Sequence, residues 1–545
     1  MTRRQWLVIV AVLGTACNVA MVPPVLAAQA DASRSGGGTR VQTDSGAVDG
    51  LTLDKGIRAW LGIPFAAPPV RELRWRAPQP APKWQGVFHA DRAAPMCLQS
   101  LRSRTMNHYF GNEGISEDCL YLNIWSPPSG QRLPVIVWIY GGGFNVGSAS
   151  MANYSGAGLA ADGVVRVNIA YRVGPLGFFA HPELTRESGY GGSGNYGLMD
   201  QIAALRWIQR NIAAFGGDPG NVTIAGQSAG SSSVSLLQAS PEARGLFHRA
   251  VGMSGSHFGE PMSAAPLAQG EAAGLELQRA LGAKSIEELR DIAGDRILAA
   301  PGQRPAIVID GKYVAGAPRE VFAAGRQSDV PVMLGFTRDE SFRPLGSIGS
   351  VSDFEAAVRR NFPQNAEALL KAYPATDLAS AQRAATDMGR DASVGLAMFN
   401  WASVQRELGK APVYAYFFTR RQPYAPGITF IDHDPATAGA YHTVEVPYFL
   451  RSRESLNLFR KTRNWEPVDV ALEEAAAQAL LSFAREGRPR APGGAQWPAF
   501  DPQHPQMLEL GTQVRLVDWP HNAALPLLRS SAPAERPAAT GRPRD

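Results

Sequence analysis

The sequence predicts an α/β protein built on a central, mostly parallel twisted sheet with helices on both faces. Two observations carry this. Along the middle of the chain, short apolar runs bounded by Pro or Gly alternate with longer segments of helical period. No fixed-period repeat and no long linker breaks that alternation, so one domain is expected over residues 41–525.

The elements follow in order. Residues 133–140, LPVIVWIY, read as a buried strand bounded by Pro134 and the glycines that follow. Residues 164–172, VVRVNIAYR, read as a second strand. Residues 195–217 carry Leu198, Ile202, Leu205, Ile208 and Ile212 at helical spacing, so a helix is expected there, stopped by Gly216 and Gly217. NVTIAG at 221–226 is a third strand and DVPVMLGF at 329–336 a fourth. The stretches 257–300 and 350–410 are helix-rich and are expected to cap the active edge of the sheet.

The ends differ from the body. The chain of 545 residues is 45% hydrophobic and 19% charged with a net charge of +5, ordinary for a large globular core. Residues 1–4 hold two Arg, and residues 526–545 hold four Arg against Glu535 and Asp545, which leaves the body at 47 basic against 46 acidic residues. The body therefore offers no basic run for a nucleic-acid partner. Residues 1–30 read as an export signal: Arg3-Arg4 precedes the apolar run LVIVAVLGTA, and VLAAQA offers small residues for cleavage. The arginine pair resembles a twin-arginine signal, with a Sec-type signal as the alternative. The run is short and broken by Asn18, Pro23 and Pro24, so stable membrane insertion is not expected. Gly14 stands where lipid-modified signals usually carry Leu, which argues against a lipoprotein through Cys17. The expected location is secreted or periplasmic. Residues 31–40 read as a flexible lead-in and 526–545 as a disordered tail.

Removal of such a signal leaves two cysteines, Cys97 and Cys119. An even count in an exported chain suggests one disulfide, with two separate buried thiols as the alternative. Closing a loop of about 20 residues would stabilise the fold by roughly 3 kcal/mol. A zinc site would need more ligands nearby than the sequence offers.

Residues 223–235, TIAGQSAGSSSVS, hold the chemistry. Gly226-Gln227-Ser228-Ala229-Gly230 fits G-x-S-x-G, with a strand before it and an Ala/Ser/Leu-rich helix after it. Such a turn forces the serine into a strained backbone conformation, and side chains two residues to either side would clash. Ser231, Ser232, Ser233 and Ser235 lack that constraint and read as small packing residues. A serine hydroxyl needs a histidine to take its proton, and the histidine needs a carboxylate to hold its tautomer. In this architecture the chain order is Ser, acid, His. The candidates for base are His248, His257, His433, His442, His504 and His521, and Asp339 or Glu340 in LGFTRDES are candidates for the acid. Gly142 and Gly143 in WIYGGGF, with Ala229, offer backbone N–H groups to a developing oxyanion.

From about residue 40 to about 510 the sequence resembles the type-B carboxylesterases, the cholinesterase/carboxylesterase branch of the α/β-hydrolase fold. The resemblance runs through GIPFAAPPV, CLQ, SEDCLYLN, YGGGF, AYRVGPLGFF, GNYGLMDQ, LRWIQRNIAAFGGDPGNVTIAGQSAG, LGFTRDES, AYHTVEVPYF and FAREGRP. It implies Ser228 as nucleophile, Glu340 rather than Asp339 as acid, His442 as base, and Gly142, Gly143 and Ala229 as oxyanion donors. It also implies a Cys97–Cys119 disulfide, a buried Ser254 supporting the acid, helical insertions over the active site, and no metal or organic cofactor. Arg74, Glu117, Arg172 and Asp200 match as structural polar contacts.

The expected function is an exported serine hydrolase that cleaves small-molecule carboxylic esters through an acyl-enzyme. A lipase or amidase on the same scaffold is the nearer alternative, and an adhesion or binding protein with residual hydrolysis the farther one. Phe144, Phe258 and Phe342 each follow a site motif and are candidates for the substrate pocket, with core packing as the alternative. Gln227 stands where most relatives carry Glu, which removes a charge that would attract cations. A preference for neutral or anionic esters is therefore expected.

Overall fold

A computed structural model of the chain describes residues 38–103, 105–107, 113–259, 263–301, 307–494 and 496–530. The expected signal over 1–30 lies outside them, as do most of the lead-in and of the tail.

Eleven strands form the main sheet: β1 (Leu51–Thr52), β2 (Arg58–Pro64), β3 (Tyr121–Ser126), β4 (Leu133–Ile139), β5 (Val165–Ile169), β6 (Gly217–Gln227), β7 (Arg249–Met253), β8 (Val332–Thr337), β9 (Val413–Phe418), β10 (Gln506–Leu510) and β11 (Val514–Asp518). Their spatial order is β11-β10-β9-β8-β7-β6-β4-β5-β3-β2-β1. The run from β10 to β5 is parallel, while β11 and the group β3, β2, β1 are antiparallel flanks. The central parallel strands are buried on both faces; β4 and β8 are accordingly near-continuous apolar runs, whereas β5 alternates and buries Arg166 and Asn168 between its apolar residues.

The four expected strands are present with shifted ends. The expected helix over 195–217 is shorter: it spans Tyr196–Asn211 and tightens into a 3₁₀ turn, Ile212–Phe215, before Gly216 closes it at φ 90°. Helices Leu267–Leu281, Ile286–Asp291 and Gly294–Ala299 form the first helix-rich stretch, and four helices between Val351 and Leu408 form the second. Two boundaries move. Thr39, read as flexible lead-in, is buried and its carbonyl accepts a hydrogen bond from the Trp60 indole at 2.7 Å. Residues 526–530, read as tail, belong to the helix Leu525–Ser530, which buries Leu525 and Leu528.

Cys97 and Cys119 are bonded to each other. Two arginine–carboxylate forks hold this end of the molecule. Arg74 grips Glu117, two residues before Cys119, and also donates to the carbonyls of Leu289, Arg290 and Ile292, so the first helical insertion is tied to the disulfide loop. Arg172 and Asp200 form a buried bidentate pair at 2.7 and 2.8 Å. Removing one partner of such a pair strands the other charge in the interior. Arg172→Met is therefore expected to lower the unfolding free energy by about 3–5 kcal/mol in a denaturant titration; a change under about 1 kcal/mol would show that Asp200 has other compensation.

Candidate functional site

The strand–turn–helix at residues 221–239 has the geometry that the glycine spacing demands. Strand β6 ends at Gln227, Ser228 sits at φ 58°, ψ −125°, and the helix Ala229–Ala239 begins at the next residue. A Cβ on Gly226 would lie 2.4 Å from the Gly230 carbonyl carbon, and one on Gly230 would lie 2.0 Å from the Ile139 oxygen. Neither position admits a side chain, so the tight turn and its strain are set by these two glycines. Ser231, Ser232, Ser233 and Ser235 are fully buried on the helix that follows; Ser231 donates to the Gly255 carbonyl at 2.5 Å and Ser235 to that of Ser232 at 2.8 Å.

Among the expected histidines, His442 stands beside the acid. Its Nδ1 meets Glu340 Oε2 in a short contact. The other Glu340 oxygen, Oε1, accepts from the Thr337 amide at 2.7 Å and from Ser254 Oγ at 2.8 Å. Glu340 thus fixes the tautomer with the proton on Nδ1 and leaves Nε2 as an acceptor. That acceptor receives the Gln227 side-chain amide at 3.1 Å. The remaining histidines are engaged elsewhere. His248 accepts from the Val222 amide, His433 contacts Tyr424, His504 meets Asp501 and His521 meets Asp391. His257 is buried against Phe144, and burial pushes its pKa down to about 3.

Asp339, the alternative acid, faces away from the imidazole and joins two loops. Its amide donates to the Ala440 carbonyl at 3.0 Å and its carboxylate accepts from the Ala440 amide at 2.6 Å. Arg338 and Arg383 flank the carboxylate and, with the Ala440 amide, hold it below the ordinary Asp range against the opposing effect of burial. The loop bearing Glu340 and the loop bearing His442 are thereby fastened one residue before the acid and two before the base.

The glycine triplet after β4 lies against the same turn. A Cβ on Gly141 would sit 2.9 Å from Ser228 Cβ, and one on Gly142 only 2.1 Å from the Val146 oxygen. Among the described residues, no carbonyl or side chain accepts from the amides of Gly142, Gly143 or Ala229. Among the described residues, four of the ten non-glycine residues with positive φ fall here: Phe144, Ser228, Ser254 and Thr443. Backbone strain of this kind collects where geometry is held for chemistry.

The three phenylalanines separate. Phe342 is 40% exposed and packs edge-on against the His442 ring at 4.8 Å. Phe144 is buried against Phe178 and His257. Phe258 packs on Phe322 and Trp401 in the core and is not brought to the imidazole.

Two supporting residues escape the sequence reading. Gln99, fully inside the quoted CLQ, spans the loop after the glycine triplet: its amide donates to the Gly147 carbonyl at 2.7 Å and accepts from the Gly147 amide at 2.7 Å. Glu445, three residues past His442, is buried 3.4 Å from Ser254 Oγ. Burial first, and the charge of Glu340 second, push its pKa up to about 8. Ser254 Oγ donates to Glu340 at 2.8 Å, with Glu445 Oε1 the weaker acceptor of the same hydroxyl at 3.4 Å. The position after the base carried no charge partner in the sequence by which to single it out.

A family model described as the carboxylesterase family matches residues 38–525. The chain belongs to the carboxylesterase family. It is a carboxylic ester hydrolase with the α/β-hydrolase fold. Fumonisin B1 esterase of Sphingopyxis macrogoltabida is 36% identical over 488 residues, covering 87% of this chain and 86% of that protein. Para-nitrobenzyl esterase of Bacillus subtilis (strain 168) is 32% identical over 507 residues, covering 88% and 96%. A solved PNB esterase structure superposes with a TM-score of 0.75 at 30% identity, covering 90% of this carboxylesterase and 99% of that chain.

Glu445 makes a stability prediction with a definite sign. A carboxyl whose pKa rises from 4.5 to about 8 on folding binds more protons folded than unfolded between those values. Its contribution to stability is undiminished below pH 4.5, falls as pH rises to about 8, and is constant above. Glu445→Gln keeps the shape without the titration. The variant should gain unfolding temperature relative to the parent between pH 5 and pH 8, by a few degrees or more; parallel curves would contradict the buried, neutral carboxyl.

Proposed function

We propose that this carboxylesterase works through Ser228, His442 and Glu340, by way of an acyl-enzyme. The contact between His442 Nδ1 and Glu340, beside a serine at φ 58°, is the observation that carries this reading. Ser228 Oγ attacks the ester carbonyl carbon while His442 Nε2 takes its proton. Glu340 stabilises the imidazolium, and the amides of Gly142, Gly143 and Ala229 donate to the oxyanion. His442 then returns the proton to the departing alcohol, and water repeats the sequence on the acyl-enzyme to release the acid. Ser228 reaches Nε2 once the Gln227 amide shares or yields that nitrogen, a tightening expected on substrate binding. Ser228→Ala should lower kcat for an aryl ester by about 10⁴ or more with the fold intact by circular dichroism. Undiminished turnover would rule out this assignment.

Gln227 directs the substrate preference toward neutral or anionic esters, including polycarboxylate or aromatic acyl groups. It is buried against the base and carries no charge where a carboxylate would favour a cation. Gln227→Glu should raise kcat/KM for a choline ester relative to a dicarboxylate ester by about tenfold, the effect of roughly 1.4 kcal/mol at close range. An unchanged ranking of choline, methyl and dicarboxylate esters would refute the role of this side chain.

Export is part of the same proposal. Its supports are the Arg3-Arg4 pair ahead of an apolar run and the Cys97–Cys119 disulfide, which suits an oxidising compartment. Among the described residues no helix is long and apolar enough to cross a membrane.

A further inference from the structure

Consecutive glycines let the backbone approach Ser228 closely, but they are also the least constrained backbone a chain can have. Donors that stabilise an oxyanion work because they are fixed before the reaction begins. The Gly141–Gly143 triplet therefore needs a restraint from outside itself. Part of it is the loop's own closure. The Gly142 carbonyl accepts from the amides of Asn145 and Val146 at 3.1 and 3.2 Å. Gly147 then returns against the strand end at φ 145°, where a Cβ would lie 2.2 Å from the Tyr140 ring and 2.7 Å from the Gly141 oxygen. The Gly174 amide ties the middle of the loop, donating to the Phe144 carbonyl at 2.6 Å.

The returning end is held by a side chain. Gly147 is buried, and among the described residues no backbone group bonds to its N–H or its carbonyl. Both go to Gln99, whose Oε1 accepts from the Gly147 amide and whose Nε2 donates to the Gly147 carbonyl, each at 2.7 Å. One primary amide thus pairs with Gly147 as a neighbouring strand would. Nε2 also donates to the Cys97 carbonyl at 2.9 Å, and Gln99 is 2% exposed. Cys97 is in turn bonded to Cys119 and paired with Ser116. Gly147 is therefore fastened to a covalently closed loop. Without Gln99 its two buried polar groups would lack partners, a loss the loop can relieve only by shifting toward water.

We propose that Gln99 is a positioning residue for the oxyanion hole: by clamping Gly147 to the disulfide loop, it holds the Gly142 and Gly143 amides where the transition state needs them. The inference rests on the catalytic reading above and adds to it a residue outside the triad and its donors. The ground-state ester asks little of these amides and the tetrahedral oxyanion much, so the effect of Gln99 falls on the transition state.

The test compares wild type, Gln99→Leu and Gln99→Asn with a trifluoromethyl ketone and with the alcohol made by reducing that ketone. Ser228 Oγ adds to the ketone carbon, the carbonyl electron pair becomes the oxyanion, and His442 Nε2 takes the serine proton; nothing leaves. The alcohol has nearly the same shape and cannot form this adduct. Titration with an organophosphate fixes the concentration of active enzyme, so that an unfolded fraction does not count. Gln99→Leu should lower kcat/KM for an aryl ester by about tenfold or more and weaken the ketone by the same factor, with alcohol binding within about twofold of wild type. Gln99→Asn, whose amide is one methylene short, should fall between, and it decides if the Leu variant does not fold. Unchanged ketone affinity in either folded variant, or equal weakening of ketone and alcohol, would overturn the proposal. A wild type that binds the ketone no better than the alcohol would overturn the catalytic reading itself, and this inference with it.

Discussion

The close approach of the β6 turn to the end of β4 is the constraint from which the site follows. Gly226 pairs with Ile139 across the parallel ladder, and the Ile139 oxygen leaves no room for a Cβ on Gly230. That contact forces the backbone at Ser228 to φ 58° and lifts its side chain off the strand end. It also sets the glycine triplet, which begins two residues after Ile139, directly against Ser228. Register carries the arrangement outward. Gln227 pairs with Met253 on β7, so Ser254 emerges at the same level, and Met253 pairs with Gly335 on β8, from whose end Glu340 is delivered. Parallel strands ending together place on one edge residues more than 100 apart in sequence.

What strand register sets coarsely, a buried polar chain sets finely. Ser254 lies between Glu340 and Glu445, and the two carboxyls differ in their partners. Glu340 receives an amide, a hydroxyl and the imidazole, whereas Glu445 has one weak partner and the neighbouring charge against it. Burial and the Glu340 charge together push the Glu445 pKa up, so the second carboxyl resists ionising beside the first. Asp339 completes the support from outside by fastening the acid loop to the base loop through Ala440. Gln227 and Phe342 touch the imidazole directly, one polar and neutral, the other aromatic and partly exposed.

Legibility in the sequence depended on whether a residue's reason lay nearby in the chain. Four parallel strands, β4, β5, β6 and β8, and the helix after residue 195 declare themselves through short runs rich in apolar residues and through helical spacing. The flanks β1–β3 and β11, and β7, β9 and β10 within the parallel run, do not, because they are short or hold aromatic and polar residues whose pairing partners are distant. Gly226, Ser228 and Gly230 are legible because one local turn explains all three. The choice of Glu340 over Asp339 and of His442 among six histidines was not settled by spacing and rested on resemblance. The geometry separates the two acidic neighbours by direction: one side chain turns to the imidazole, the other to Ala440 and Arg383. Gln99 and Glu445 were silent for the same physical cause, since each works through a partner about 50 or almost 200 residues away. Phe258 shows the converse: its place after a site motif suggested the pocket, and Trp401 and Phe322 hold it in the core.

The central claim is that one serine among the five between residues 228 and 235 is activated, and that the strained turn selects it. Reaction with an organophosphate followed by peptide mass spectrometry tests this most directly. The account predicts one stoichiometric adduct, on Ser228, with loss of esterase activity in parallel. An adduct on Ser231, Ser232, Ser233 or Ser235, or full inhibition with Ser228 unmodified, would contradict it.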